Sequence, residues 1–128
     1  YIDVLYNMNI KTISISDTVG SANKKDISYI FSKVLVDYKE IEFGAHFHTK
    51  LDSWFDKIDS AYKAGCLRFD CAIQGFGGCP MAKDELTGNF PTEKLISYFN
   101  IQNIPLKINS LQFESSYNIA TKLFSTYK

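Results

Sequence analysis

Gly44-Ala45-His46-Phe47-His48 carries both histidines of the chain, at positions i and i+2. In a β-strand that spacing sends both imidazoles to one face and Phe47 to the other. Two neutral imidazoles converging from one strand supply half of a divalent-metal site. Two structural histidines bonded to backbone at a strand end are the alternative, and these five residues alone leave it open.

The pattern on either side of residues 41–48 sets the fold. Upstream, Ile27, Ile30, Phe31, Val34, Leu35 and Tyr38 recur at three and four residues, which predicts a helix over about 23–39. Before it, Thr-Ile-Ser-Ile-Ser at 12–16 alternates and is β-branched, as a strand should be. Downstream, Leu51, Trp54, Phe55, Ile58, Ala61 and Tyr62 form one stripe of a helix over about 50–64, with Gly65 as its stop.

Residues 67–73 read as a third strand. A helix over 92–99 follows the loop 74–89, with Thr92 as N-cap and Glu93 in the first turn. Residues 105–108 form a short fourth strand. A final helix over 110–126 turns Phe113, Tyr117, Ala120, Leu123, Phe124 and Tyr127 inward. Residues 1–9 suit the last turns of a helix.

The order is α–βα–βα–βα–βα. Short loops and repeated crossovers imply an α/β fold of parallel strands with helices packed outside. Functional groups then belong past the carboxyl ends of the strands, where Asp17, the histidines and the loop 74–89 all fall.

Composition narrows the class. At 128 residues the chain is one domain, 1–128, with room for one core. Fourteen basic and fourteen acidic residues cancel, which argues against a nucleic-acid surface. No apolar run approaches a membrane span. Three cysteines at irregular spacing, Cys66, Cys71 and Cys79, form no disulfide framework and fit a reduced, cytoplasmic compartment. Cys66 and Cys71 read as packing residues. The start at Tyr1 suggests a fragment.

Further residues bear on the histidine pair. Asp17 ends the preceding strand and is either a turn aspartate or a general acid or base. Gly75, Gly77 and Gly78 bring backbone N–H groups close to a ligand and allow the loop to close as a lid. Cys79 in that loop is either incidental or a reactive thiol. Asn89 is either turn chemistry or a neutral oxygen ligand. Imidazoles with an amide oxygen and a carboxylate suit Mg²⁺ or Mn²⁺ as well as Zn²⁺, and the lack of thiolate ligands leans toward the harder ions.

Ile13 to Gly20, Ala45-His46-Phe47-His48, Gly75-Phe76-Gly77-Gly78-Cys79-Pro80 and Thr87-Gly88-Asn89 with Thr92-Glu93 together resemble the 3-hydroxy-3-methylglutaryl-CoA lyases of the DRE-TIM metallolyases. The glycine-cysteine loop is the most specific of these stretches. The resemblance implies the C-terminal half, strands five to eight, of a TIM (β/α)8 barrel. It implies that His46, His48 and Asn89 are similar to the family's metal ligands, Cys79 to its lid-loop catalytic cysteine and Asp17 to its catalytic aspartate, with His46 sharing in proton transfer.

The implied reaction cleaves hydroxymethylglutaryl-CoA to acetyl-CoA and acetoacetate with Mg²⁺ or Mn²⁺. The family's first-strand Arg-Asp pair has no counterpart before Asp17, and Thr49-Lys50-Leu51-Asp52 replaces the usual Asp-Thr-Tyr-Gly. The absent Arg-Asp pair predicts a chain inactive on its own. Its open sheet edges and apolar barrel interior would drive homo-oligomers or pairing with a missing N-terminal half. A non-catalytic metal- or acyl-CoA-binding half-barrel and a related aldolase or synthase are the rival readings.

Overall fold

The computed structural model describes residues 1–50, 52–78 and 87–127. A short helix α1 (Ile2–Asn7) leads into strand β1 (Thr12–Asp17). Helix α2 (Lys24–Asp37), strand β2 (Glu42–Thr49), helix α3 (Trp54–Lys63) and strand β3 (Arg68–Asp70) follow. A 3-10 turn at Ile73–Gly75 precedes the two-residue strand β4 (Gly88–Asn89), then helices α4 (Thr92–Ile101) and α5 (Ser110–Phe124).

β2 is central. β1 lies parallel to it on one side, with Ser14 opposite Gly44 and Ser16 opposite His46. β3 lies parallel on the other, with Gly44 opposite Arg68 and His46 opposite Asp70. β4 pairs antiparallel with the end of β2, setting Asn89 opposite His48.

Alternation divides the sheet into two faces. Phe43, Ala45 and Phe47 of β2 point into the core, against Ile27, Phe31 and Val34 of α2 and Ile58 and Ala61 of α3. The Phe31 and Phe47 rings meet edge to face, with centroids 6.2 Å apart. α4 adds Tyr98 and Phe99, and the Phe99 ring stands edge-on to Tyr62 at 5.2 Å. Each such aromatic buried contributes roughly 1.5–3 kcal/mol.

α2 begins at Asn23, whose side chain accepts from the Lys25 and Asp26 N–H groups while Asp26 returns a bond to the Asn23 N–H. That reciprocal cap satisfies donors the helix itself leaves unpaired.

Sequence expectations are corrected at several places. Residues 105–108 form no strand. Pro105 has no N–H to give and no described strand lies alongside, yet Ile104 and Leu106 still pack against the core. The N-cap of α4 is Pro91 rather than Thr92, because a bridge between Ala72 and Pro91 keeps the chain extended through residue 91. Leu123 is exposed on α5, whose fully buried position is Ala120, and the Tyr127 side chain lies outside the described set. The sheet face turned away from the helices is polar rather than apolar, carrying Ser14, Ser16, His46, Arg68 and Asp70.

Candidate metal centre

His46 and His48 leave β2 on one face, their rings 5.4 Å apart between centroids. His48 is buried and its Nδ1 lies 3.2 Å from the Asp17 carbonyl oxygen. A carbonyl can only accept, so Nδ1 carries the proton and Nε2 the lone pair. His46 is half-buried and its Nδ1 lies 3.4 Å from Asp70 Oδ2. A carboxylate facing Nδ1 favours the same tautomer there. Metal-binding histidines characteristically give their other ring nitrogen to a carboxylate or a backbone carbonyl, and these two follow that pattern.

Asn89 reaches the site through β4. Its Nδ2 donates to the Phe76 carbonyl at 2.9 Å, which leaves Oδ1 as the atom able to bind a cation. The glycine loop makes this approach possible. Gly75 has φ +63° and a Cβ there would stand 2.5 Å from the Asn89 carbonyl oxygen, while Gly77 has φ +80° and Gly78 bridges to Gly88. Two imidazoles and an amide oxygen therefore fit a divalent cation as part of its ligand set. Among the described residues, no three His, Cys, Asp or Glu side chains gather around one point, so the set is partial.

Asp17 stands apart from the histidine face. It is opposite Phe47 in the register and its side chain is buried on the helix side of the sheet. Oδ2 accepts from Lys57 Nζ of α3, and Oδ1 accepts the Ala22 N–H at 3.1 Å. Lys57 also donates to the carbonyls of His48 at 2.8 Å and Gly20 at 2.9 Å. This ammonium fastens the carboxyl ends of β1 and β2 to each other and to α3. Cys79 lies outside the described residues. Cys66 is buried, and burial pushes its thiol pKa up, whereas Cys71 is exposed rather than packed.

The residues that the sequence reading missed are Lys57, Arg68 and Asp70. Lys57 sits three after Trp54 and four before Ala61, a core-periodic position filled by a charge. Arg68 and Asp70 share the i, i+2 spacing of the histidines, on the neighbouring strand. The Arg68 guanidinium crosses Gly44, where a Cβ would come within 2.5 Å of its Nε.

A family model described as HMGL-like matches residues 1–119. The chain belongs to the HMGL-like family. It is 26% identical over 107 residues to a hydroxymethylglutaryl-CoA lyase of Bacillus subtilis, covering 84% of this chain and 35% of that protein. It is 28% identical over 97 residues to the (R)-citramalyl-CoA lyase of Chloroflexus aurantiacus, covering 76% of this chain and 30% of that protein.

A solved HMG-CoA lyase from Acinetobacter baumannii, in complex with coenzyme A and 3-methylmalate, superposes with a TM-score of 0.74 at 32% identity, over 84% of this chain and 35% of that one. The chain thus spans about a third of the length of the curated relatives it matches. The α/β fold with parallel strands is that of the HMG-CoA lyase barrels, of which this HMGL-like chain presents a part.

Proposed function

We propose that this chain carries the histidine side of the metal centre of a carbon–carbon lyase acting on an acyl-CoA, with hydroxymethylglutaryl-CoA as substrate and acetyl-CoA and acetoacetate as products. One observation carries the reading. His48 Nδ1 bonds to the Asp17 carbonyl and His46 Nδ1 faces the Asp70 carboxylate at 3.4 Å, which leaves Nε2 of each ring for a cation. The likeness to hydroxymethylglutaryl-CoA lyases supports the substrate class.

His46, His48 and Asn89 would hold Mg²⁺ or Mn²⁺; an all-nitrogen-and-oxygen donor set with no thiolate suits these ions. The bound cation supplies Lewis-acid polarisation of substrate oxygens and favours loss of the hydroxyl proton.

The chain's own side chains do the rest. In this reading His46 acts as a ligand, with Nδ1 toward Asp70 and Nε2 toward the cation, so both ring nitrogens are committed. Cys79 is the candidate acid or base of the glycine loop, and closure of that loop over Gly75, Gly77 and Gly78 would exclude water. Asp17, with both oxygens engaged, serves as an anchor for the strand ends rather than as the proton acceptor. A cleft lined by Thr49, Trp54, Gln74, Asn89 and Lys94 reaches Asn89 among the candidate ligands and neither histidine.

The (R)-citramalyl-CoA lyase relative favours a second acyl group for the same type of cleavage. Assay of the full-length protein with both thioesters and Mn²⁺ decides between them. His48→Ala in that protein should weaken Mn²⁺ binding at least tenfold, read by electron paramagnetic resonance titration, and abolish acetoacetate release. Unchanged Mn²⁺ affinity would remove His48 from the ligand set.

A further inference from the structure

A run of polar contacts on the open face of the sheet ends at His46. Arg68 Nη2 of β3 donates to Ser14 Oγ of β1, reaching across the bare backbone of Gly44. Ser14 Oγ donates in turn to Asp70 Oδ2 at 2.9 Å. Arg68 Nη1 lies 3.6 Å from Asp70 Oδ1. The carboxylate is therefore held from two sides, and Oδ2 faces His46 Nδ1 at 3.4 Å. Three adjacent parallel strands each contribute, and the register sets the contributors side by side: Ser14, Gly44 and Arg68 in one row, His46 and Asp70 in the next.

We propose that Asp70 is a positioning residue for His46. Held by Ser14 and Arg68, it fixes the Nδ1–H tautomer and ring orientation that present Nε2 to the cation. The proposal rests on the metal-centre reading given above.

The physical reason is electrostatic. An imidazole that turned its Nδ1 lone pair toward a carboxylate 3.4 Å away would set negative against negative, whereas the N–H points a positive dipole at it. The contact is long for a hydrogen bond, so its main effect is to choose the tautomer. Loss of such a partner behind a ligating imidazole typically weakens metal binding about 10- to 100-fold. Arg68 keeps Asp70 from swinging toward the cation as a ligand in its own right, because its guanidinium faces the other carboxylate oxygen.

The test uses full-length protein with 15N-labelled histidine. Nitrogen chemical shifts assign the His46 tautomer, and Mn²⁺ titration gives affinity independently of turnover. Wild type should show His46 as the Nδ1–H form. Asp70→Ala should populate the Nε2–H form and weaken Mn²⁺ about 10- to 100-fold, with the circular dichroism spectrum retained. Asp70→Asn keeps an acceptor oxygen at the same place and should recover part of both. Ser14→Ala, which frees the carboxylate from one side only, should show a smaller fall.

Wild-type Mn²⁺ binding with unchanged tautomer and affinity in Asp70→Ala would overturn the proposal and leave the metal centre standing. Absence of Mn²⁺ binding in wild type would sink the metal centre, and the tautomer measurement would then decide the role of Asp70 alone. Should Asp70→Ala unfold, the comparison of Asp70→Asn with wild type carries the same two outcomes.

Discussion

Lys57 shows how one side chain can organise a site it does not enter. Its side chain is 3% exposed, and Asp17 opposite is 6% exposed. Pairs this dry contribute little over an apolar replacement, but losing one partner strands the other charge, at about 3–5 kcal/mol. Lys57→Met is predicted to lower stability by about that amount, measured by urea denaturation. Adding Asp17→Asn should return much of the loss, since the stranded charge is gone. A Lys57→Met loss below about 1 kcal/mol would show that water or another cation reaches Asp17.

The same pairing explains why Asp17 was legible as a strand-end carboxylate while its orientation was not. Sequence places it one residue past Ser16; the register with Phe47 then turns it to the helix side.

At the scale of elements, the strands and helices around β2 were readable from periodicity because each buries one apolar face. Strand β1, α2, β2 and α3 fall within a few residues of their expected limits. Expectations failed where pairing partners or ends decide: β3 narrows to Arg68–Asp70, and 105–108 finds no partner strand among the described residues.

The joint between α3 and α4 is set by Tyr98, whose ring is buried and whose hydroxyl donates to Asp59 Oδ1 at 3.0 Å. Burial, reinforced by the neighbouring carboxylate of Asp59, pushes the Tyr98 pKa up to about 12 from an ordinary 10.0. The folded state holds this proton more tightly than the unfolded chain. Its stabilisation is therefore complete below pH 10 and lost as the pH rises toward 12. Denaturation midpoints should fall more steeply across that window in wild type than in Tyr98→Phe; parallel curves would contradict this.

For the whole molecule, the outer edges of β1 and β3 have no partner among the described residues, and the face between them is polar. That changes the expected cause of association. Open edges offer unpaired N–H and C=O groups, and exposed Val4, Tyr29 and Val36 add apolar surface, while Ser14, Ser16 and Asp70 remain content with water. Expressed as these 128 residues, the chain is predicted to self-associate, with a mass by light scattering above that of a single copy. A monodisperse single copy across a tenfold concentration range would refute it. No described helix is long and apolar enough to cross a membrane.

Sequence by itself determined the alternation of strands and helices, the shared face of His46 and His48, and the family-like loop. These follow from local periodicity, and a period of two or 3.6 is written in the order of residues. Tertiary structure alone decided which groups meet. The pairing of Asp17 with Lys57 spans forty residues, and that of Ser14 with Asp70 spans fifty-six. Such contacts depend on strand register, which a one-residue slip would reverse face for face. The histidine pair was visible in five consecutive letters; the carboxylate beside His46 became visible only when β3 was laid beside β2.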